Sequence, residues 1–178
     1  LAEKGGDAAL ERAAIAAFES HSVQEKLRAA GHLAALRTDR VREILRTFVA
    51  KTELKGHQVT IARAALLRAG DKATRAWAGQ ARAPEHANEA AAALLVAGEA
   101  RDTGLLPVAA KLAGDARALA KPVRSRFKIT KREVLPGGGT RTTSSSPELT
   151  TLGEVAVESA NRMVRPTTPD YIAWWYEM

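Results

Sequence analysis

From residue 23 to residue 112 the chain repeats one motif: a stretch whose apolar residues return every three or four positions, then a short polar or glycine break. That spacing lines up one face of an α-helix. Val23, Leu27, Ala30, Leu33 and Ala34 form the first such stripe; Val41, Ile44, Leu45, Phe48 and Val49 form the next, with Arg40, Arg42, Glu43 and Arg46 on the opposite side. Val59, Ala62, Ala65 and Leu66 come after it, then Ala73, Ala76 and Trp77 beyond a break at Gly70-Asp71. From Pro84-Glu85 a further stripe runs through Ala91, Leu94 and Leu95 to Gly98, and its partner after Asp102 carries Leu105, Leu106, Val108, Ala109 and Leu112. A lone helix over Ala8–Phe18 precedes them all. Ser22-Val-Gln-Glu25 reads as a capping box: the serine hydroxyl takes a free helix amide while Glu25 reaches back to the cap.

The breaks are periodic. Asp7, Asp39, Asp71 and Asp102 recur at spacings of 32, 32 and 31, each ahead of an apolar-periodic segment and each placed to cap it. Two-helix units of about 31 residues with an aspartate in the turn between the helices resemble HEAT repeats of the short, phycobilisome-lyase-like kind. The likeness is carried best by Leu94-Leu-Val-Ala-Gly98-Glu-Ala-Arg-Asp102-Thr-Gly-Leu-Leu-Pro-Val-Ala-Ala-Lys-Leu112, with glycine and aspartate in the turn, paired leucines, and Pro107 as a kink inside the second helix. It covers about two thirds of the chain and implies architecture, an α-solenoid, far more than activity.

Beyond residue 120 the pattern changes. A helix over Ala116–Lys121 is expected to stop at Pro122, and alternation of Phe127 and Ile129 with Lys128 and Thr130 suggests a short strand. Leu135-Pro-Gly-Gly-Gly-Thr-Arg-Thr-Thr-Ser-Ser-Ser146 has the composition of a flexible connector or a hairpin turn. Ser146-Pro147-Glu148 then opens a helix with Leu149, Leu152, Ala156, Ala160 and Met163 on one face, ended by Arg165-Pro166. Thr168-Pro169-Asp170 opens a last one. Of eight aromatic residues in the chain four, Tyr171, Trp174, Trp175 and Tyr176, sit in the final eight positions, as anchors that either bind a partner or cap the exposed end of the array.

Composition sharpens this division: 34 of 37 alanines precede residue 121, and five of seven prolines lie after it. Small side chains let repeat helices stack closely, so the excess suits an array. The net charge of +7 is uneven: residues 1–120 carry +4, 121–141 carry +6 and 142–178 carry −3. The positive field thus belongs to Lys121, Arg124, Arg126, Lys128, Lys131, Arg132 and Arg141, a run that favours an anionic partner. With no cysteine there are no disulfides or thiolate sites, and no apolar run is long enough to cross a bilayer. The chain starts at Leu1, as expected of a processed or excised piece. His21, His32, His57 and His86 lack metal-ligand spacing, Gly137-Gly138-Gly139 lacks the lysine of a phosphate loop, and Ser144–Ser146 have no histidine nearby in sequence. No catalytic residue, metal or cofactor is expected.

The resulting expectation is an all-α protein: a HEAT-like α-solenoid of helix pairs over residues 1–120, a basic Gly/Ser/Thr linker over 121–146, and short helices with an aromatic end over 147–178. Its function is read as a non-enzymatic protein-interaction scaffold or accessory subunit of a larger assembly, with an extended C-terminal arm. The alternative is nucleic-acid binding by the linker together with Arg37, Arg40, Arg42, Arg46, Arg63, Arg68 and Arg75 on the solenoid. Contact with a membrane surface through the linker and the terminal aromatics ranks third.

Overall fold

The computed structural model describes residues 2–51, 54–80, 86–125, 127 and 129–165. Among these residues it is mostly helical, 65% with eight helices, and has a small sheet portion. The helices are α1 (Ala2–Ser20), α2 (Val23–Ala34), α3 (Asp39–Lys51), α4 (His57–Arg68), α5 (Lys72–Gly79), α6 (Ala87–Ala100), α7 (Leu106–Leu112) and α8 (Leu152–Val164). Between α7 and α8 run β1 (Ala118–Arg124), β2 (Ile129–Val134), β3 (Thr140–Ser145) and β4 (Glu148–Thr151).

Local chemistry sets the helix ends. Ser22 and Glu25 close the anticipated capping box on α2, and their mutual hydrogen bonds hold the Glu25 carboxyl below its usual range. The breaks between α2 and α3, between α4 and α5, and after α6 share one design. Arg37, Gly70 and Arg101 turn left-handed, with φ of 53°, 80° and 56°, and the residue after each caps the next helical turn. Asp71 accepts from the Thr74 amide, and Asp102 from that of Gly104. At the α3 break the cap is Thr38, whose hydroxyl accepts from the Val41 amide; the expected cap, Asp39, is instead the first residue of the helix and pairs with Arg42. Two further expectations shift for simple reasons. α1 continues through Gly5-Gly6-Asp7 without a break, and Pro107 stands in the first turn of α7, where its missing N–H costs nothing, so it starts that helix without kinking it.

Helices α2, α4, α6 and α8 touch in succession as one row, and α1, α3, α5 and α7 lie against it. Two apolar clusters run through this arrangement. One joins Ile15 and Phe18 to Leu27, Leu33, Val41, Leu45 and Phe48, with the Phe18 and Phe48 rings meeting edge to face at 5.4 Å. The other runs from Ala64 and Leu67 through Leu94, Val96, Val108 and Leu112 to Leu119, Leu149, Leu152, Val155 and Met163. Arginines clasp each unit to the next: Arg42 donates to the Ala69 carbonyl, Arg46 to Asp71, Arg68 to the Glu99 and Ala100 carbonyls, and Arg75 to Asp102. Burial pushes the Asp71 carboxyl up, but the Thr74 amide and hydroxyl and the Arg46 guanidinium outweigh it and hold that acid below the ordinary range.

The second cluster overturns the picture of an array ending at residue 120 with a tail beyond it, because α8 is the last member of the row. Its backbone comes closest to α6 at Gly98, where an added Cβ would stand 3.0 Å from the Ser159 Cα. Beside that contact, buried Arg162 pairs with Glu99, and burial pushes the neighbouring Arg68 guanidinium down. The expectation of an all-α fold is corrected by the strands between α7 and α8. Asp115, whose carboxylate accepts from the Arg117 amide at 3.0 Å, turns the chain out of α7, and the segment expected to be a helix over 116–121 pairs as β1 with β4. The pairing leaves a bulge between Ala118 and Val123 that accommodates Pro122, and Asn88 on α6 accepts the displaced Ala120 amide at 3.0 Å. Strand β4 also takes up residues 148–151, so the cap of α8 is Thr151 with Glu154, five residues past the Ser146 cap read from sequence.

The return into α8 demands glycine. The Leu152 and Gly153 amides donate to the Arg117 and Asp115 carbonyls, and a Cβ on Gly153 would lie 2.7 Å from the Ala113 carbonyl oxygen.

Candidate interaction ribbon

Strands β2 and β3 form a second antiparallel ribbon nested inside the β1–β4 pair. Its register is regular from Ile129 opposite Ser145 to Val134 opposite Thr140. The turn is dictated by its residues: Pro136 fixes one central position, Gly137 takes φ of 104° at the next, and Gly138 donates back to the Leu135 carbonyl at 3.1 Å, the signature of a type II turn. Leu135 closes the loop by donating to the Gly139 carbonyl at 2.8 Å. At the other end the stem is tied by the Ser125 amide, which donates to the Pro147 carbonyl at 2.8 Å. Phe127 covers the stem, with its ring under the Arg165 guanidinium at 4.3 Å.

Among the described residues no other element packs substantially against β2–β3. Every residue of β3 is exposed, and Val134 at the tip is 75% exposed. A two-stranded ribbon normally needs a packed face to be stable, so an unsupported polar one stands ready to meet something outside the chain. By the pleat, Lys131, Glu133, Arg141 and Thr143 share one face, and Thr130, Val134, Thr140, Thr142 and Ser144 the other; Thr130 and Ser144 hydroxyls bond across the strands at 3.1 Å.

Of the basic residues picked out from sequence, Lys121 and Arg124 are exposed on β1, with Arg124 opposite Glu148, and Lys131 and Arg141 are exposed on the ribbon. Arg132 belongs to β2 opposite Thr142. Arg126 and Lys128 lie outside the described residues, as do Tyr171, Trp174, Trp175 and Tyr176. The structure therefore divides the described part of the cationic run, with Lys131, Arg132 and Arg141 on the projecting ribbon and Lys121 and Arg124 on β1 below it.

The arginines expected to share a solenoid face have other work. Arg42, Arg46, Arg68 and Arg75 make the clasps between units, and Arg63 stacks on Trp77 at 4.6 Å. Arg37 and Arg40 are exposed. Sequence reading missed β3, whose Thr-Arg-Thr-Thr-Ser-Ser has a connector's composition; the β-branched threonines either side of a Pro-Gly turn were the available signal.

Two open apolar grooves complete the surface. One of about 380 Å³ lies between α6 and β1, lined by Ala91, Ala92, Leu95, Leu119 and Val123. The other, about 510 Å³, lies between the α7–β1 turn and α8, beside Phe127 and Val157. Among the described residues no three histidine or carboxylate groups come close enough to hold a metal ion, and no helix is long and apolar enough to cross a membrane. No protein-family model, curated protein or solved structure matches this chain.

Proposed function

We propose that this protein is a non-enzymatic interaction scaffold, an accessory subunit whose helical array is a HEAT-like α-solenoid and whose attachment arm is the β2–β3 ribbon. The array reading is supported by the single row of even-numbered helices and by clasps that reach forward 25 to 32 residues, about one repeat length. The arm reading rests on one observation: the ribbon stands clear of the other described elements, held only at its stem. Among the described residues the outward-reaching segment is the inserted ribbon, since the helix after it, α8, packs on α6 and α7, while Tyr171, Trp174, Trp175 and Tyr176 lie outside the described residues.

Native mass spectrometry of the tagged protein isolated gently from its own cells tests the proposal. The expected result is a stoichiometric assembly well above the 19.0 kDa of the chain. Recovery of the protein wholly at its own mass would refute it.

A further inference from the structure

We infer that the ribbon's partner is duplex nucleic acid of B form, entered through the major groove. This deepens the scaffold reading and rests on it, since it names what the arm grips. Charge is the first argument. Residues 121–146 hold seven basic side chains and one acid, a net +6, almost the whole excess of the chain. Of these, Lys131, Arg132 and Arg141 belong to the ribbon and Lys121 and Arg124 to β1 at its foot, and such cationic side chains act on phosphates by counterion release. Lys131 and Arg141 stand exposed on one face of the ribbon, and Lys121 and Arg124 continue the positive field down the stem.

Shape is the second. A two-stranded ribbon is one of the two elements that fit the major groove, which is about 12 Å wide and 8.5 Å deep. Six-residue strands at roughly 3.3 Å per residue give an arm on the order of 20 Å long, enough to reach the groove floor from a body outside the duplex. The β3 side chains beyond Arg141 are all short hydroxyls, Thr142, Thr143, Ser144 and Ser145, and so is Thr140 before it. Short hydroxyls let the backbone come close and can donate to either phosphates or base edges.

Competing occupants fit less well. A protein partner docked on the ribbon would look for aromatic or large apolar anchors, and among its described side chains the ribbon offers Val134 and Leu135 at its tip. A second copy pairing edge to edge would bring Lys131 and Arg132 of two chains together, the arrangement by which edge strands repel each other. An A-form duplex keeps its major groove too deep and narrow for a ribbon.

The test is fluorescence anisotropy on the intact chain with a labelled 20-base-pair random-sequence DNA, an RNA duplex of equal length, and two variants. One variant replaces residues 131–143 with Asn-Gly, keeping the pairs Ile129–Ser145 and Thr130–Ser144; the other is K131A/R132A/R141A. The wild type should bind the DNA with micromolar affinity at 50 mM salt. Removing three phosphate contacts should lower the logarithmic salt slope by about 2.7, so that about 40-fold less of the affinity is lost between 50 and 200 mM. The shortened ribbon should lose at least tenfold in affinity with an unchanged melting temperature. No binding at 50 mM salt, binding untouched by either variant, or equal affinity for the RNA duplex would each overturn the inference. If DNA binding is absent while the native assembly persists, the scaffold reading stands alone; if the protein runs at its own mass, that reading falls whatever the DNA result.

Discussion

Leu152 offers a decisive perturbation, because it lies at the junction between β4 and α8 and is fully buried in the cluster that also holds Leu94 and Val108. Were residues beyond 147 a solvent-facing tail, Leu152→Ala would cost under about 0.5 kcal/mol, as surface changes do. In the observed fold the change removes a buried isobutyl group from a site walled by α6, α7 and the sheet, where little can collapse inward. Leucine-to-alanine substitutions of that kind cost about 3 kcal/mol, lost transfer energy plus the cavity left behind. In a chain of this size that is a fall in melting temperature of roughly 6–12 °C. Urea unfolding followed by circular dichroism at 222 nm gives the energy directly, and an unchanged slope confirms that both proteins unfold the same surface. Val157→Ala, on the exposed side of the same helix, serves as control and should stay within about 0.5 kcal/mol. Equal, small effects at the two positions would refute the placement of α8 in the array.

The same contacts set other outcomes. Gly98→Ala drives a methyl against the Ser159 backbone and should destabilise by about 1–3 kcal/mol, whereas Ser159→Ala removes a buried hydroxyl with no hydrogen-bond partner and should be neutral or stabilising; calorimetry on the two variants checks the opposite signs. Asp71 has a depressed folded-state pKa, so its contribution is present above the unfolded value of about 3.9 and disappears as pH falls through the folded one; melting temperatures between pH 5 and 2 should drop less steeply in Asp71→Asn, which keeps a capping acceptor, than in the wild type. The ribbon-shortened variant should unfold within about 0.5 kcal/mol of the wild type in urea, since no described side chain among residues 131–143 belongs to either apolar cluster.

What could be read from the sequence was local. The Ser22–Glu25 box, the Gly70-Asp71 break, and the buried face of α8 (Leu152, Ala156 and Met163) are dictated by neighbours a few residues away, so hydrophobic period and cap chemistry reveal them. What could not be read depended on distant pairing. Ala118–Lys121 has helix-forming composition, and Ser146-Pro147-Glu148 is a sound helix start, yet both yield to the antiparallel pairing of β1 with β4, whose partners are 24 to 33 positions apart. The Asp115 turn was not legible as the start of a strand, because the same Gly-Asp dipeptide at Gly70-Asp71 leads into helix α5. For the candidate site, the charged residues were found from sequence, but the placement of Lys131, Arg132 and Arg141 on a projecting ribbon depends on the register between β2 and β3.

The forward-reaching arginine clasps carry an evolutionary corollary. Because Arg42, Arg46, Arg68 and Arg75 each find an acceptor 25 to 32 residues downstream, the segment between two of these seams could be duplicated or excised in frame and the remaining arginines would still find their fasteners. Length in a chain fastened this way is adjustable in steps of one helix pair while the ribbon ahead of α8 stays as it is.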